Sequence, residues 1–319
     1  MGDQRVRIFA LSIPLNRPFA TANGTIVTRR VALVRVGPEP YGWGEAAPYP
    51  GQDEPIEDVL RAADVREWTP TLSAAVDGAE ADRDARIAGE SLAGRIGATQ
   101  TTLPVSLAIG MEPDPVAQVA SAVASGVGRF KVKIAPGRVD HVTTIRERFR
   151  DVVLGVDANG SFDAETVSEL GMLAGLGIAF VEQPVSDLTS DAARQLKTLL
   201  DAPVFADEAV RSVADAARLL ESSAVDGIVI KPGRLGWTGA LEARELANAA
   251  EKRWRASGLL ETGIGRAFTD TLAACPDAFV SDVAPAEWFL SKDVTASRLR
   301  NAHITVPRGP GLGVVPKLS

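Results

Sequence analysis

Five short stretches of the chain predict its fold: RFKVKI (129–134), VVLGVDAN (152–159), IAFVEQP (178–184), PVFADE (203–208) and DGIVIKPG (226–233). Each contains a short apolar run of the length of one buried strand. A segment with the spacing of an amphipathic helix follows each run. Apolar runs that alternate with helices are typical of parallel strands buried on both faces, so the pattern predicts an α/β fold with consecutive βα units.

An ionisable residue closes each run, and the intervals between these residues are 24 or 25 positions. Such an interval accommodates one strand, one helix and two loops, which predicts the repeated unit of a parallel barrel. Functional groups in barrels of this kind lie at the carboxyl ends of the strands. We therefore expect five side chains to meet at one barrel mouth: Lys133, Asp157, Glu182, Asp207 and Lys231.

Three of the five are carboxylates, Asp157, Glu182 and Asp207. A lone carboxylate at the end of a buried strand is costly to desolvate, and a shared divalent cation removes that cost. Three oxygen ligands suit Mg²⁺, with Mn²⁺ as an alternative, better than Zn²⁺. The competing interpretation is that each acid caps a helix or pairs with a cation. Asn159 and Glu208 lie beside these acids and are interpreted as supporting partners.

Lys131 and Lys133 alternate with Val132 and Ile134, so both lysines point to the same side of their strand. If the apolar pair faces the helices, the lysines enter the barrel. Two adjacent ammonium groups then lower each other's pKa, as a general base requires. The alternative is an edge strand with solvated lysines. Lys231 closes a strand on the opposite wall, so lysines flank the predicted metal site as removal of a proton next to a carboxylate requires.

The motif GLLETGIGRAF (258–268) follows RWRASG (253–258), which we interpret as the seventh strand. Glu261 is expected to line the barrel mouth. The backbone N–H groups of the glycines, Gly263 included, are expected to receive a substrate carboxylate at a helix start. The alternative is that the motif is only a tight turn from strand to helix.

The first third of the chain is β-rich and then helical, without βα alternation. It predicts a separate α+β capping domain over residues 1–100, joined by the Pro- and Gly-rich tail 300–319. The barrel is expected to span residues 101–299, with LPVSLAIG (103–110) as its first strand and DAFVSDV (277–283) as its eighth.

The composition restricts the class of protein. The formal charge of −7 and the pI near 5.1 argue against binding to nucleic acid or to an anionic membrane, because that binding needs clustered Lys and Arg. The apolar runs are strand-sized, so no membrane span is expected. One cysteine, Cys275, and a start without a secretory apolar stretch favour a cytoplasmic enzyme.

Several motifs together carry a resemblance: FKVKI, VDANG, VEQP, ADE and IVIKPGRLG, with LLETGIGRA and the closing GPGLGV. They resemble the enolase superfamily, muconate-lactonizing subgroup, and within it the o-succinylbenzoate synthases and N-acylamino-acid racemases. The resemblance covers nearly the whole chain. It implies a modified (β/α)7β TIM-like barrel with an α+β capping domain, whose loops near residues 18–26 and 47–53 close the site.

The resemblance also implies roles for the residues at the mouth. The three carboxylates would bind Mg²⁺, Lys133 would be the general acid/base, Lys231 would face the other side of the substrate and Lys131 would assist. The implied partner is a small-molecule carboxylate. The implied reaction is loss of the proton α to that carboxylate and dehydration to o-succinylbenzoate, a step of menaquinone biosynthesis.

Other activities stay open. N-acylamino-acid racemase is the nearest alternative, followed by dipeptide epimerase and muconate cycloisomerase. Dipeptide epimerases usually carry an aspartate pair after the eighth strand, and SDVAPAEWFLSKD (281–293) lacks a clear pair. A non-catalytic barrel that binds a ligand is an alternative from another class. A homo-oligomer is also open.

The seventh strand departs from the resemblance, because relatives usually have an apolar run there and this chain has Arg253 and Arg255. An arginine that reached the mouth would pair with a second substrate carboxylate. The interpretation favoured by the sequence is that both arginines point outward and are solvated.

Overall fold

The computed structural model describes residues 6–22, 24–65, 67–111 and 113–318; Asn23, in the expected closing loop 18–26, lies outside them. The strands are β1 (Arg7–Thr21), β2 (Gly24–Val36), β3 (Gly42–Ala46), β4 (Thr102–Pro104), β5 (Ser106–Ile109), β6 (Arg129–Lys133), β7 (Val153–Asp157), β8 (Val181–Glu182), β9 (Val204–Ala206), β10 (Gly227–Ile230), β11 (Arg253–Ala256), β12 (Leu299–Arg300) and β13 (His303–Thr305). The α-helices are α1 (Ile56–Val65), α2 (Pro70–Ala88), α3 (Leu92–Arg95), α4 (Pro115–Ala124), α5 (Asp140–Arg148), α6 (Asp191–Leu199), α7 (Val213–Leu220), α8 (Pro232–Ala249) and α9 (Gly263–Ala273). Short 3₁₀ helices span Val167–Leu173 and Ala286–Trp288.

The N-terminal sheet has the order β1-β2-β3 and is antiparallel. The side chains of β2 alternate between two cores: Leu33 packs in the core of the barrel, and Ala32 and Val34 pack against α1 and α2. Strand β3 approaches α2 so closely that a Cβ atom on Gly44 would lie 1.9 Å from the carbonyl oxygen of Ala75. Glycine is therefore required there. This arrangement confirms the predicted α+β part of the fold.

Several helices begin and end at residues that satisfy free backbone groups. Thr69 accepts a hydrogen bond from the N–H of Leu72 at the start of α2, and Gly89 follows that helix with a left-handed φ of 71°. Helix α8 is interrupted at Gly236, which has a φ of 77°. Within the described ranges, none of the helices is both long and apolar enough to cross a membrane.

Seven of the described strands, β5 to β11, form one curled parallel sheet in chain order. The register pairs Lys133 with Asp157 and Asp157 with Glu182, so the ends of consecutive strands lie side by side. Val132 and Val156 lie in the core between sheet and helices. Because alternate residues of a strand point to opposite faces, the charged residues point into the barrel. The sheet confirms the predicted barrel of βα units.

The predicted eighth strand, DAFVSDV, is irregular. The N–H groups of Phe279 and Asp282 donate to the carbonyl oxygens of Trp254 and Ala256, at 2.8 and 2.9 Å. Three steps along this segment therefore match two steps along β11, which is the geometry of a β-bulge. The hydroxyl of Ser281 accepts a hydrogen bond from the N–H of Ala256 at 2.9 Å. On its other edge the segment accepts a hydrogen bond of 2.7 Å from β5, so it closes the gap between β11 and β5.

The C-terminal residues return to the first part of the chain. Strands β12, β13 and β4 form a small antiparallel sheet. The N–H of Leu312 donates to Asp82 on α2 at 2.5 Å, and Arg86 on the same helix donates to the carbonyl oxygen of Val314 at 2.8 Å. The domain boundaries near residues 100 and 300 stay a prediction.

Candidate active site

Three buried carboxylates meet at the carboxyl ends of neighbouring strands. Asp157 and Glu182 end β7 and β8, and Asp207 directly follows β9. One carboxylate oxygen from each residue lies within 4.8 Å of those from the other two. Three hard oxygen donors at this separation fit one Mg²⁺ or Mn²⁺ ion. Each of the three residues is 2% exposed or less, and such a concentration of negative charge requires cations nearby.

Lys131 contacts three carboxylates. Its Nζ lies 2.6 Å from Glu182 Oε1, 3.1 Å from Asp157 Oδ2 and 2.6 Å from Asp282 Oδ2. Asp282 belongs to the bulged segment that closes the barrel, and it was not predicted as a site residue. The bulge brings this acid into the barrel, so Lys131 connects two candidate metal ligands to the eighth segment.

Lys133 and Lys231 lie on opposite walls, at the ends of β6 and β10, and both line the same cavity. Lys133 Nζ lies 2.6 Å from Asp157 Oδ2 and donates to Asn159 Oδ1 at 2.8 Å. Lys231 Nζ lies 2.7 and 2.8 Å from the two oxygens of Asp207. Each lysine thus contacts a member of the carboxylate triad, and a ligand between them meets an ammonium group on either side.

The prediction that the adjacent lysines have lowered pKa values is wrong for this arrangement. Burial lowers the pKa of Lys131, but the charges of Asp282 and Glu182 outweigh burial and raise that pKa well above its usual value. Burial also lowers the pKa of Lys133, and the charge of Asp157 outweighs it, so that this pKa is raised as well. The repulsion between the two ammonium groups is smaller than their attraction to the carboxylates that contact them.

The same charges act on the carboxylates in opposite directions. Burial raises the pKa of Asp157, but Lys133 and Lys131 outweigh burial and lower that pKa below its usual value. Burial raises the pKa of Glu182 well above its usual value, with Lys131 opposing and the negative charge of Asp157 reinforcing the rise. A further cation at the triad would favour the ionised form of Glu182.

Asn159 and Glu208 connect the triad to the capping part of the chain. Asn159 Nδ2 donates to Glu208 Oε1 at 2.7 Å, and the same oxygen accepts a hydrogen bond from Gln52 Nε2 at 3.0 Å. Arg234, which was not predicted as a site residue, forms an ion pair with Asp53 at 3.1 Å and donates to Gln52 Oε1 at 3.1 Å. The expected closing loop 47–53 therefore contacts the barrel beside the site.

The expectation that the seventh-strand arginines point outward is wrong for Arg255. Its side chain is fully buried, and its two terminal nitrogens donate to Glu182 and Asp282. Its Nε donates to the carbonyl oxygen of Val280 at 2.7 Å, and the guanidinium carbon lies 3.8 Å from the centre of the Phe180 ring. Arg255 thus binds two acids through one planar guanidinium: Glu182, a candidate metal ligand, and Asp282, which also contacts Lys131.

A signal for this inward orientation was present in the sequence. Trp254 and Ala256 are apolar and lie in the core that faces the helices, so the alternation of the strand places Arg255 inside the barrel. Arg253 has the same parity but stands at the amino end of β11. It is exposed, with its guanidinium 5.3 Å from the centre of the Phe279 ring.

Glu261 and Gly263 are buried, but neither is among the described residues that line the cavity. Glu261 accepts hydrogen bonds from the N–H of Leu259 at 2.5 Å and from the hydroxyl of Thr269 at 3.2 Å. The N–H of Gly263 donates to Asp293 Oδ1 at 2.8 Å. The structure therefore places Glu261 in the turn between β11 and α9 and Gly263 at the first position of α9, and neither in the lining of the cavity.

The cavity at the mouth has a volume of about 60 Å³ and adjoins a larger one of about 350 Å³. Phe19, Ala108 and Phe289 line both. An acid bound at the triad can therefore extend along this shared wall into the larger cavity. The described lining residues of the smaller cavity are Phe19, Tyr49, Gln52, Ser106, Ala108, Lys131, Lys133, Asp157, Asn159, Asp207, Glu208, Lys231, Ser257, Gly258, Leu260, Arg266, Asp282, Ala284 and Phe289.

The protein has a curled parallel sheet with carboxylates and lysines at its carboxyl edge. These features are typical of (β/α)-barrel enzymes with a capping domain. A family model described as enolase C-terminal domain-like matches residues 114–319. The chain belongs to this family and is an enolase-superfamily enzyme.

Two curated relatives cover nearly the whole chain. An N-succinylamino acid racemase of Amycolatopsis sp is 32% identical in an alignment of 350 positions that covers 98% of this chain and 94% of the relative. An o-succinylbenzoate synthase of Geobacillus kaustophilus is 32% identical in an alignment of 344 positions that covers 95% of this chain and 90% of the relative. The solved structure of the L-Ala-D/L-Glu epimerase of Bacillus subtilis matches with a TM-score of 0.90 and 24% identity over 99% of both chains, which supports the fold.

Proposed function

We propose that this protein is a Mg²⁺-dependent enzyme that removes the proton α to the carboxylate of a small acid. One observation carries the proposal: Lys133 and Lys231 line one cavity from opposite walls, and each contacts a member of the buried carboxylate triad. The triad supplies the oxygen ligands that Mg²⁺ prefers. The lysines supply groups that accept or donate a proton on either face of the bound acid.

The roles follow from these positions. The three carboxylates would hold Mg²⁺, which when bound supplies positive charge to the substrate carboxylate while the α-carbon loses its proton. Lys133 in its neutral form takes that proton from one face. The positive charge of a bound ion beside it would favour this form, because it would lower the pKa that the carboxylates raise. Lys231 holds a positive charge on the other face. Lys131 contacts Glu182 and keeps it in position. Asn159 holds Lys133 Nζ at 2.8 Å, which orients the base.

For the complete reaction we favour dehydration to o-succinylbenzoate. The C–H bond breaks as its proton passes to Lys133, and the electron pair left on the α-carbon forms a double bond to the neighbouring carbon. The C–O bond on that carbon breaks on the same face, and the leaving hydroxyl group takes the proton from Lys133, so that water is released. The similarity to an o-succinylbenzoate synthase, 32% identical over 95% of this chain, supports this choice.

Racemisation of an N-acylated amino acid is the second candidate. It requires a lysine on each face of the α-carbon, one to remove the proton and the other to return it, and Lys133 and Lys231 occupy such positions. The similarity to an N-succinylamino acid racemase, also 32% identical, supports it.

Exchange of α-protons in D₂O tests the shared step. We expect deuterium incorporation into candidate acids with Mg²⁺ present and none after chelation. Loss of the cyclohexadiene absorbance of the synthase substrate, measured beside polarimetry on N-succinyl amino acids, separates the two reactions. Racemisation without dehydration would make the racemase the first candidate and the synthase the second. No exchange and no Mg²⁺ binding would leave a non-catalytic binding protein.

Three further expectations are also proposals. They are a capping domain over residues 1–100 with the tail 300–319, a barrel over residues 101–299, and a place in menaquinone biosynthesis in the cytoplasm. The contacts of the tail with α2 support the first. The similarity to a synthase named for o-succinylbenzoate supports the last. Limited proteolysis followed by mass spectrometry tests the boundaries, since cleavage is expected first near residue 100.

A further inference from the structure

Both carboxylate oxygens of Glu182 are in contact with cationic side chains. Its Oε1 lies 2.6 Å from Lys131 Nζ, and its Oε2 accepts a hydrogen bond from a terminal nitrogen of Arg255. Glu182 and Arg255 are both 0% exposed, so bulk water does not compete for this pair. An ion at the triad therefore has to share an oxygen of Glu182 with one of these two cations.

Arg255 is fixed on every side of its guanidinium. Its Nε donates to the carbonyl oxygen of Val280 at 2.7 Å, and its terminal nitrogens donate to Glu182 and Asp282. The guanidinium carbon lies 3.8 Å from the centre of the Phe180 ring. A planar group with these partners cannot turn away without leaving buried donors and acceptors unpaired, which is unfavourable. The contact with Glu182 Oε2 is therefore fixed as well.

Lys131 restricts the other oxygen of Glu182 less. Its Nζ also lies 3.1 Å from Asp157 Oδ2 and 2.6 Å from Asp282 Oδ2, so it stays paired if it moves away from Glu182. A lysine carries a compact charge on a flexible stem, whereas the donors of an arginine are held in one plane. Oε1 is therefore the oxygen of Glu182 that can contact an ion.

The number of oxygens that a carboxylate offers distinguishes divalent cations. Mg²⁺ requires a near-octahedral arrangement, whereas Ca²⁺ accepts about six to eight oxygens and often binds both oxygens of one carboxylate. Glu182, with Oε2 fixed on Arg255, can offer only one. Asp157 is restricted in a similar way, because its Oδ1 accepts a hydrogen bond from the backbone N–H of Asn159 at 3.0 Å. The triad is thus better suited to the smaller ion.

We propose that Arg255 is a positioning residue that restricts Glu182 to a single ligand oxygen, so that the triad selects Mg²⁺ against Ca²⁺. This inference rests on the proposed function, because it takes the triad as the metal site. Removal of the guanidinium frees Oε2 and permits coordination through both oxygens. The lost positive charge affects two divalent ions in nearly the same way, so the ratio of their dissociation constants reports the coordination by Glu182.

Calorimetry with MgCl₂ and CaCl₂ measures this ratio without substrate and without turnover. The proteins are the wild type, Arg255→Met, Arg255→Lys and Arg253→Met. Arg253 is the matched control, because it belongs to the same strand, points to the same side, carries the same charge and is exposed. Arg255→Lys keeps the buried charge, so it provides the measurement if Arg255→Met does not fold.

We expect the wild type to bind Mg²⁺ more tightly than Ca²⁺. This preference should fall by about 10- to 100-fold in Arg255→Met, which is the usual effect of removing a partner of a metal ligand. It should take an intermediate value in Arg255→Lys, whose single ammonium is not held in place, and persist in Arg253→Met. An unchanged ratio in a folded Arg255 variant, or its loss in Arg253→Met, would overturn the proposal. So would a wild type without preference.

The same samples separate this inference from the proposed function. Exchange of α-protons in D₂O reports the chemistry, and the ratio of dissociation constants reports Arg255. Exchange with Mg²⁺ present and an unchanged ratio in the Arg255 variants would reject only the role of Arg255. The expected ratios without exchange would reject the proposed function and retain the role of Arg255 in metal selection. A wild type that binds neither ion would reject both.

Discussion

The interior of the barrel has two layers of different chemistry. The first, which we call the aromatic layer, consists of Phe180, Phe205, Val229 and Phe279. The second, the charged layer, lies next to it towards the carboxyl ends of the strands, where Glu182, Asp207 and Lys231 stand two positions after Phe180, Phe205 and Val229. It consists of Lys131, Lys133, Asp157, Glu182, Asp207, Lys231, Arg255 and Asp282.

The two layers are stable for different reasons. In the aromatic layer the rings of Phe205 and Phe279 are stacked with centres 5.4 Å apart, and removal of apolar surface from water is enough to hold them. In the charged layer each group depends on partners, because an unpaired buried charge is strongly unfavourable. Arg255 joins the layers, since it lies over Phe180 and donates to Glu182. The comparison shows that one barrel contains a stable apolar core and a charged site that are two residues apart along a strand.

The largest effect is expected when the charged layer loses its proposed base. Lys133→Ala should reduce α-proton exchange by about 10²- to 10⁴-fold, because the variant has no group to accept the proton. Its Mg²⁺ affinity should change little, since Lys133 is not a proposed ligand. Proton NMR in D₂O and calorimetry measure the two quantities, with the exposed Lys292→Ala as control. An active Lys133→Ala variant would exclude Lys133 as the base.

The next effect tests whether the charged layer depends on pairing. Arg255→Met should lower the free energy of unfolding by about 3–5 kcal/mol, because Glu182 and Asp282 lose a buried cation. Arg255→Lys retains the charge but cannot span both acids, so its loss should be smaller. Urea unfolding of both variants measures the difference. Equal stability of wild type and Arg255→Met would show that the lysines alone balance the acids.

Glu45 is the contrasting case of a buried carboxylate outside the charged layer. It accepts hydrogen bonds from the N–H and hydroxyl of Thr262 and from the N–H of Gly265, at 2.6–2.9 Å, and forms no ion pair within the described chain. Burial raises its pKa to about 7, against those hydrogen bonds. Asp282, which is paired with Arg255 and Lys131, has a lowered pKa although burial alone would raise it.

These two acids should affect stability with opposite signs. Glu45 keeps its proton in the folded protein up to about pH 7 and releases it near pH 4.5 when unfolded. Between those values the folded state binds more protons, so its contribution falls as pH rises, by about 3 kcal/mol in total. The contribution of Asp282 is lost instead as pH falls through its lowered pKa. Between pH 5 and pH 8 the free energy of unfolding of the wild type should therefore fall relative to that of Glu45→Gln. The same change with pH in both proteins would contradict the assignment.

The smallest effect belongs to the aromatic layer. Phe205→Leu should lower the free energy of unfolding by about 1–2 kcal/mol, because it removes part of a fully buried ring. Proton exchange per folded molecule should stay near the wild-type value, since Phe205 contacts other rings rather than the cavity. Phe180→Leu serves as a second variant of the same layer. A large loss of exchange in Phe205→Leu would show that the two layers are not independent.

Much of the fold was predictable from local pattern. The spacing of Lys133, Asp157 and Glu182 predicted their neighbouring strand ends, and the register confirms it. The irregular eighth segment was not predictable, because the bulge at Ser281 depends on a hydrogen bond to Ala256, a distant residue. The inward direction of Arg255 could be predicted from the alternation of its strand. The outward direction was expected instead, because a charged side chain is usually solvated.

The βα repeat and the convergence of acids and lysines follow from the amino-acid sequence, because strand and helix periods are local and parallel strands all end at one edge. The balance of those charges depends on the three-dimensional arrangement. There Arg255 and Lys131 pair with Asp282, Glu261 lies in a turn, Gly263 begins α9, and the buried Nε of Arg266 has no hydrogen-bond partner among the described residues. The energy of a buried charge depends on distances of a few ångströms between residues far apart in the chain, and a local pattern does not set those distances.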